Sequence, residues 1–271
     1  MPGCGGSDVP DSEGLRIVSL VPSATEVVYA LGAGDRLVGN TTFCTYPEQA
    51  NSVYRVGDFA NPDIERIIAL KPDIVLLTLP SHRMVADKLR ELEVQFHVSQ
   101  PNTIEEAFND IESIGVLVGR GDRARVLADS LRLELGRIPT AADSPRVYVE
   151  ISPSPLMSVG AGTFVHELVE RAGGRNVYAF SGRQYPLVEA ELVVRADPEV
   201  IVVLHPGASA REIAARVGWS RISAVRSGRV HTDIDDDLVT RPGPRLVEAV
   251  RVLSERLSQR TGTCLQQSGK Q

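Results

Sequence analysis

Only three cysteines occur among the 271 residues, Cys4, Cys44 and Cys264, an odd count that excludes a three-disulfide scaffold. Long apolar runs are missing as well. The longest, 73–79 and 199–204, have the length of a buried strand and fall far short of the roughly 20 residues that span a bilayer. The N-terminus shows no basic stretch followed by an apolar core, so either the protein is cytosolic or the sequence begins after a removed signal. No excess of positive charge is present. The formal charge is -6, with arginines scattered among acids, which speaks against a nucleic-acid partner because phosphate counterions must be replaced by clustered Lys and Arg. There is no Gly-x-Ser-x-Gly elbow, no His-Glu-x-x-His and no phosphate loop. Gly32-Ala33-Gly34 lacks the third glycine of a dinucleotide fingerprint and follows a helical pattern, so it reads as a C-cap and turn.

What is present is ordinary globular material, 42% apolar and 24% charged, in a chain long enough for two lobes of about 100 to 130 residues each. The pattern predicts a strand at 15–21, a helix at 24–31 after Pro22-Ser23, a strand at 36–40, and a helix capped by Asn61 with Pro62 in its first turn that runs to residue 70. A buried strand at 74–79, an amphipathic helix to about 92 and a strand at 95–98 follow. From 103 to 137 the pattern is helical, opened by a Thr103/Glu106 capping box and broken near Gly115, Gly119 and Gly121. The alternation then restarts: strand 146–151, helices 163–172 and 189–196, strand 200–204, helix 210–217, strand 229–232 and helix 243–258. A helix running into Lys71-Pro72-Asp73 and then a strand has its counterpart in Asp197-Pro198-Glu199, as an internal repeat predicts. The expected fold is α/β, with two Rossmann-like lobes, each a parallel sheet flanked by helices, joined by one long backbone helix. The expected division is a leader at 1–14, a lobe at 15–120, the connecting helix at 121–139, a lobe at 140–260 and a polar tail at 261–271.

Five phrases in order resemble the helical-backbone class of periplasmic binding proteins, which serve ABC importers and take cobalamin, haem and ferric siderophores. They are Val18-Ser19-Leu20-Val21-Pro22-Ser23-Ala24-Thr25-Glu26, Thr45-Tyr46-Pro47-Glu48-Gln49-Ala50, Val56-Gly57-Asp58-Phe59, Ser158-Val159-Gly160-Ala161-Gly162-Thr163 and Arg241-Pro242-Gly243-Pro244-Arg245. The Tyr46-Pro47 and Phe59-Ala60-Asn61-Pro62 phrases look most like the cobalamin branch. The resemblance implies a rigid connecting helix, small hinge motion and a ligand held between lobes. The ligand is cobalamin or a related corrinoid, with haem or a ferric siderophore as the alternative. The implied partner is the importer's permease, met by one glutamate per lobe, Glu65 and Glu191. It further implies a non-enzymatic monomer on the periplasmic or extracellular face of the cell membrane. Gly3-Cys4-Gly5-Gly6-Ser7 looks like the start of a mature lipoprotein lipidated at Cys4, or else a cloning leader. Cys44 and Cys264 form a candidate disulfide in an oxidising compartment.

Loops after the C-terminal ends of parallel strands carry ligands in α/β sheets, which nominates Pro22, Ser23, Phe43, Tyr46, Phe59, Leu79, His82, Met157, Tyr185, His205, Asp237 and Arg241. Flat rings suit a broad apolar disc. Tyr46, Phe59 and Tyr185 fall where the cobalamin-binding members place rings, and Asp237 and Arg241 where they place polar contacts. His82 and His205 are candidate axial ligands for iron or cobalt, and Tyr46 or Tyr185 for haem. With aromatic residues at 5%, the loops 78–81 and 151–157 are aliphatic or polar where cobalamin binders carry rings; Met157 is a soft substitute. Asp233, Asp235, Asp236 and Asp237 beside His231 lack the spacing of a calcium loop and read as a solvated acidic loop, so no metal site is expected. A small α/β hydrolase using Ser23 is the reading from another class.

Overall fold

The computed structural model describes residues 14–259, so the Cys4 lipidation site and the Cys264 partner of Cys44 lie outside the described residues. The chain divides into two compact units, one holding the chain up to Leu133 together with Arg241–Pro244, the other Glu134–Thr240 together with the chain from Arg245.

The first unit contains β1 (Ile17–Ser19), α1 (Pro22–Ala30), β2 (Leu37–Asn40), α2 (Ile64–Ala69), β3 (Ile74–Leu77), α3 (Arg83–Glu91), β4 (Gln95–Val98) and α4 (Ile104–Leu117). The rod expected at 121–139 is α5 (Gly121–Arg137), and the division between units falls within it, not at its ends. The strands are all parallel in the order β2-β1-β3-β4. Every residue of β3 is buried, as in a sheet covered by helices on both faces. Val18, Leu20, Val75 and Leu77 pack with Ile67 of α2 and with Val85 and Leu89 of α3.

The ends of α1 follow from its sequence. Pro22 occupies the first turn, and Gly32 at φ +70 lets the Gly32 and Ala33 amides donate back to Tyr29 and Val28, so Gly32-Ala33 is the C-cap and turn expected. The start of α2 differs from expectation. Pro62 bridges to Gly57 in extended conformation and the Asp63 amide donates to Val56, which delays the helix. Asp63 becomes the cap, accepting from the Glu65 and Arg66 amides, while Asn61 is held in a turn by Asp58. The Thr103 hydroxyl caps α4 as expected, but Glu106 receives the Asn102 amide, one residue early for a full capping box.

The second unit contains β5 (Arg146–Glu150), the hairpin strands β6 (Ser152–Pro153) and β7 (Leu156–Met157), α6 (Phe164–Arg171), β8 (Arg175–Asn176), α7 (Ala190–Ala196), β9 (Val200–Val203), α8 (Ala210–Ala215), α9 (Ser223–Arg226), β10 (Val230–His231), α10 (Asp236–Thr240) and α11 (Leu246–Ser258). Its parallel sheet runs β10-β9-β5-β8. Counted by order within each unit, both sheets read second, first, third, fourth, which is the internal repeat. Tyr148, Val193, Ile201, Val203, Ile213 and Trp219 form the second core. The hairpin, β8 and α9 escape a periodicity reading because they are too short to show a period. The acidic stretch expected to be a loop contains α10, whose first turn holds Asp236 and Asp237, where carboxylates favour a helix N-terminus.

An arginine at the start of the first strand repeats between units. The Arg16 guanidinium donates to the Leu70 carbonyl at 2.9 and 2.8 Å, and its amide donates to Asp73. The Arg146 guanidinium donates to the Asp197 carbonyl at 3.0 and 2.7 Å, and its amide donates to Glu199. Both acids follow the paired prolines. Arg146→Ala is expected to lower the unfolding free energy by about 1–2 kcal/mol in urea titration, the value of charged hydrogen bonds in a partly exposed setting. A loss near zero would show that the clasp holds nothing.

Candidate functional site

In the first unit the loop after β2 is built around Arg55, which half-buried donates to Asn40 Oδ1 and the Thr41 carbonyl, both at 2.6 Å, and to Asn51 Oδ1 at 3.0 Å. Cys44 inside this loop is fully buried, with its Sγ 3.2 Å from the Thr25 hydroxyl, so its predicted loop position does not make it accessible. The braced loop turns Phe43 and Tyr46 outward, at 54% and 46% exposure. Phe43 meets Phe59 edge to face with ring centroids 6.5 Å apart, and Phe59 meets the His82 ring at 5.0 Å. Three of the nominated rings are therefore one chain, running from exposed Phe43 to buried His82. Leu79 is half-buried against the first core.

His82 corrects the expectation of a metal-ligating imidazole. Its Nδ1 accepts from the Thr78 amide at 3.1 Å and its Nε2 donates to the Phe59 carbonyl at 2.7 Å, so neither nitrogen offers a lone pair. Burial lowers its pKa against a smaller opposing effect of the Phe59 carbonyl. Ser23 is corrected too. It lies buried inside α1, whose N-cap is Val21, and a Cβ added at Gly243 would come into van der Waals contact with it. It does not cap the helix, and no histidine is hydrogen-bonded to it among the described residues. Pro22 beside it is half-buried.

Arg241 belongs to the first unit although its chain neighbours α10 and α11 belong to the second. Its guanidinium pairs with the buried Glu26 carboxylate at 3.2 Å and donates to the Phe43 carbonyl at 2.9 Å. It thus supports the loop that displays Phe43. Glu26 and Arg55, which sequence reasoning missed, carry no local signal, because their partners are brought to them only by the fold.

In the second unit the Met157–Leu187 bridge is flanked by backbone bonds from Val188 to Leu156 and from Ser158 to Pro186, which lay 184–188 alongside the β6–β7 hairpin. Burial alternates along it: Pro186 and Val188 are buried, while Tyr185 and Leu187 are exposed. Met157 and Tyr185 are therefore on one face, joined by Leu187, which the sequence reading passed over. His205 follows β9 and turns its Nε2 to Glu150 Oε1 at 2.9 Å. Glu150, fully buried at the end of β5, also takes both guanidinium nitrogens of Arg216 at 2.6 and 2.8 Å. Arg216 lies over the Trp219 ring, 4.6 Å from its centroid. Asp237 is half-buried in α10. Glu65 and Glu191 are exposed in the first turns of α2 and α7, the helices that precede the third strand of each sheet.

No group of three or more metal-ligating side chains occurs among the described residues, and none of their helices is long and apolar enough to cross a membrane. Residues 17–237 match the family described as periplasmic binding protein. The chain is 37% identical over 254 residues to an uncharacterized ABC transporter substrate-binding lipoprotein of Bacillus subtilis, covering 90% of this chain and 80% of that one. It is 32% identical over 240 residues to a vitamin B12-binding protein of Vibrio cholerae, covering 87% and 86%. Among solved structures it is similar to the apo form of the periplasmic heme-binding protein RhuT from Roseiflexus, with a TM-score of 0.81, 25% identity and coverage of 90% and 98%.

The buried His82 makes stability depend on pH. Its folded pKa lies below the ordinary value near 6.5, so under acid the unfolded chain takes a proton that the folded chain refuses. The neutral imidazole's contribution is full above about 6.5 and is lost as pH falls below it. Buried His231, lowered by burial and by Arg256, acts in the same direction. Urea titration at pH 7.5 and 5.0 should show lower stability at 5.0, and His82→Gln should shrink that gap. An unchanged gap would place the acid sensitivity elsewhere.

Proposed function

Because the chain belongs to the periplasmic binding protein family, we propose that it is the extracytoplasmic substrate-binding protein of an ABC importer and that its cargo is cobalamin or a related corrinoid. The relative from Vibrio cholerae is named for vitamin B12 and the Bacillus subtilis relative for ABC transport, which supports both parts of the reading.

The observation that carries the cargo is the set of rings exposed near the strand ends, where three of the arginines are engaged inside the protein. Arg55 holds the β2 loop, Arg241 neutralises Glu26 and Arg216 neutralises Glu150. A ferric siderophore with several negative charges would need several guanidinium groups converging on it, and Arg83, Arg183 and Arg211, which remain exposed, stand on three separate segments. What these loops expose is rings, Phe43, Tyr46 and Tyr185, which match a broad disc of low net charge. Phe59, Leu79 and Pro22 add apolar surface in the first unit, and Met157 in the second; His205 and Asp237 supply polar contacts. His82 and Arg241 act one step back, by holding those loops, and Ser23 is buried in α1. Haem is the alternative, favoured by the likeness to RhuT and by the tyrosines as candidate iron ligands.

Glu65 and Glu191 are the proposed contacts with the permease, and lipidation of Cys4 the proposed tether to the outer face of the membrane. Isothermal calorimetry with cyanocobalamin, haemin and a ferric hydroxamate should give the tightest binding for cyanocobalamin, at micromolar or below. Tight haemin binding without cobalamin binding would replace the cargo. The pair Glu65→Arg and Glu191→Arg should leave calorimetric affinity unchanged and cut uptake in a reconstituted importer at least tenfold. Full uptake by the pair would dismiss these two carboxylates as the docking points.

A further inference from the structure

The segment between β8 and α7 leaves three apolar side chains exposed. Phe180 is fully exposed, Leu187 is 68% exposed and Tyr185 is 54% exposed. An exposed apolar residue on a loose loop needs no explanation, but this loop is braced. The Gly160 amide donates to the Gln184 carbonyl at 2.7 Å and the Ser158 amide to Pro186 at 3.1 Å. The Ser181 hydroxyl donates to the Arg183 carbonyl at 2.9 Å, and the Gln184 side chain donates to Gly162. The approach is so close that a Cβ on Gly160 would run into the Arg183 carbonyl. The backbone is thus committed to holding Phe180 and Leu187 in water, while Tyr185 is partly buried, which raises its pKa.

Arg183 at the tip of the same loop is exposed, and its guanidinium has no hydrogen bond or ion pair among the described residues. We propose that Phe180 and Leu187 form, beside Tyr185, an apolar platform for the corrin ring of the cargo, and that Arg183 meets an anionic group on the ring's periphery. This rests on the cargo reading above. The rival occupant is the importer. An importer that receives Glu65 and Glu191 presents positive charge, and it would repel a platform tipped by an unpaired arginine; an apolar ligand carrying a phosphate would not.

The test is calorimetry of the full protein. Phe180→Ala and Leu187→Ala should each raise the Kd for cyanocobalamin about five- to tenfold, the effect of removing part of a buried side chain's apolar contact. Their melting temperatures should match the parent, because both side chains point into solvent. Arg183→Gln should weaken cyanocobalamin several-fold and leave cobinamide, which lacks the nucleotide phosphate, unchanged. If the parent binds cyanocobalamin and Phe180→Ala binds it equally well, the platform proposal falls and the cargo reading stands. Unchanged affinity with slowed uptake by a reconstituted importer would give the platform to the importer instead and overturn the proposal. If the parent binds none of the three chelates, the cargo reading and the platform fall together.

Discussion

The placement of every loop at the strand ends depends on how the first strand of each sheet is registered. In both sheets that strand lies between the second and third, so its position sets its neighbours. Arg16 and Arg146 fix it from below. The Arg16 carbonyl takes the Asp73 amide and its own amide gives to the Asp73 carboxylate, and Arg146 repeats the exchange with Glu199. A one-residue slip would turn Val18 or Tyr148 to the wrong face of its sheet. The clasp also offsets a local strain. Lys71 at φ +47 and Asp197 at φ +43 stand in the left-handed region, which costs a residue with a Cβ about 1 kcal/mol. In the second unit the Asp197 carboxylate adds bonds to the Ser223 amide and hydroxyl, which together with Arg146 hold its pKa below the usual range.

This repeat is also the part of the fold that the amino-acid order displayed most openly. Proline followed by an acid and a buried strand is a local phrase, and it occurs twice because the same geometry is needed twice. The long helices were equally readable, since α4 and α5 carry enough residues to show a period, and β3 could be read as a continuous apolar run. The β6–β7 hairpin and β8 are two residues per strand and show none. The α2 cap was misplaced for a different reason. Asn61 and Asp63 both suit a cap, and the choice between them is made by the Gly57–Pro62 bridge, a contact that no propensity encodes.

Around the strand ends, position could be read and burial could not. His82 and His205 look alike in the sequence, each a histidine shortly after a strand. One is locked by Thr78 and Phe59 on both nitrogens, and the other faces a buried carboxylate. The arginines pose the same difficulty. Arg216 finds Glu150 66 residues away, and Arg241 finds Glu26 across 215. Charge counted along the chain therefore overstates the positive charge available to a ligand.

The return of Arg241–Pro244 to the first unit makes that unit discontinuous. On a ribosome, its strands and helices emerge long before the guanidinium that neutralises Glu26. Until then the nascent unit carries a carboxylate destined for burial with no counter-charge, and such a charge disfavours the closed core. The amino-terminal unit therefore gains the full stability of its closed core only once residues 241–244 have been made.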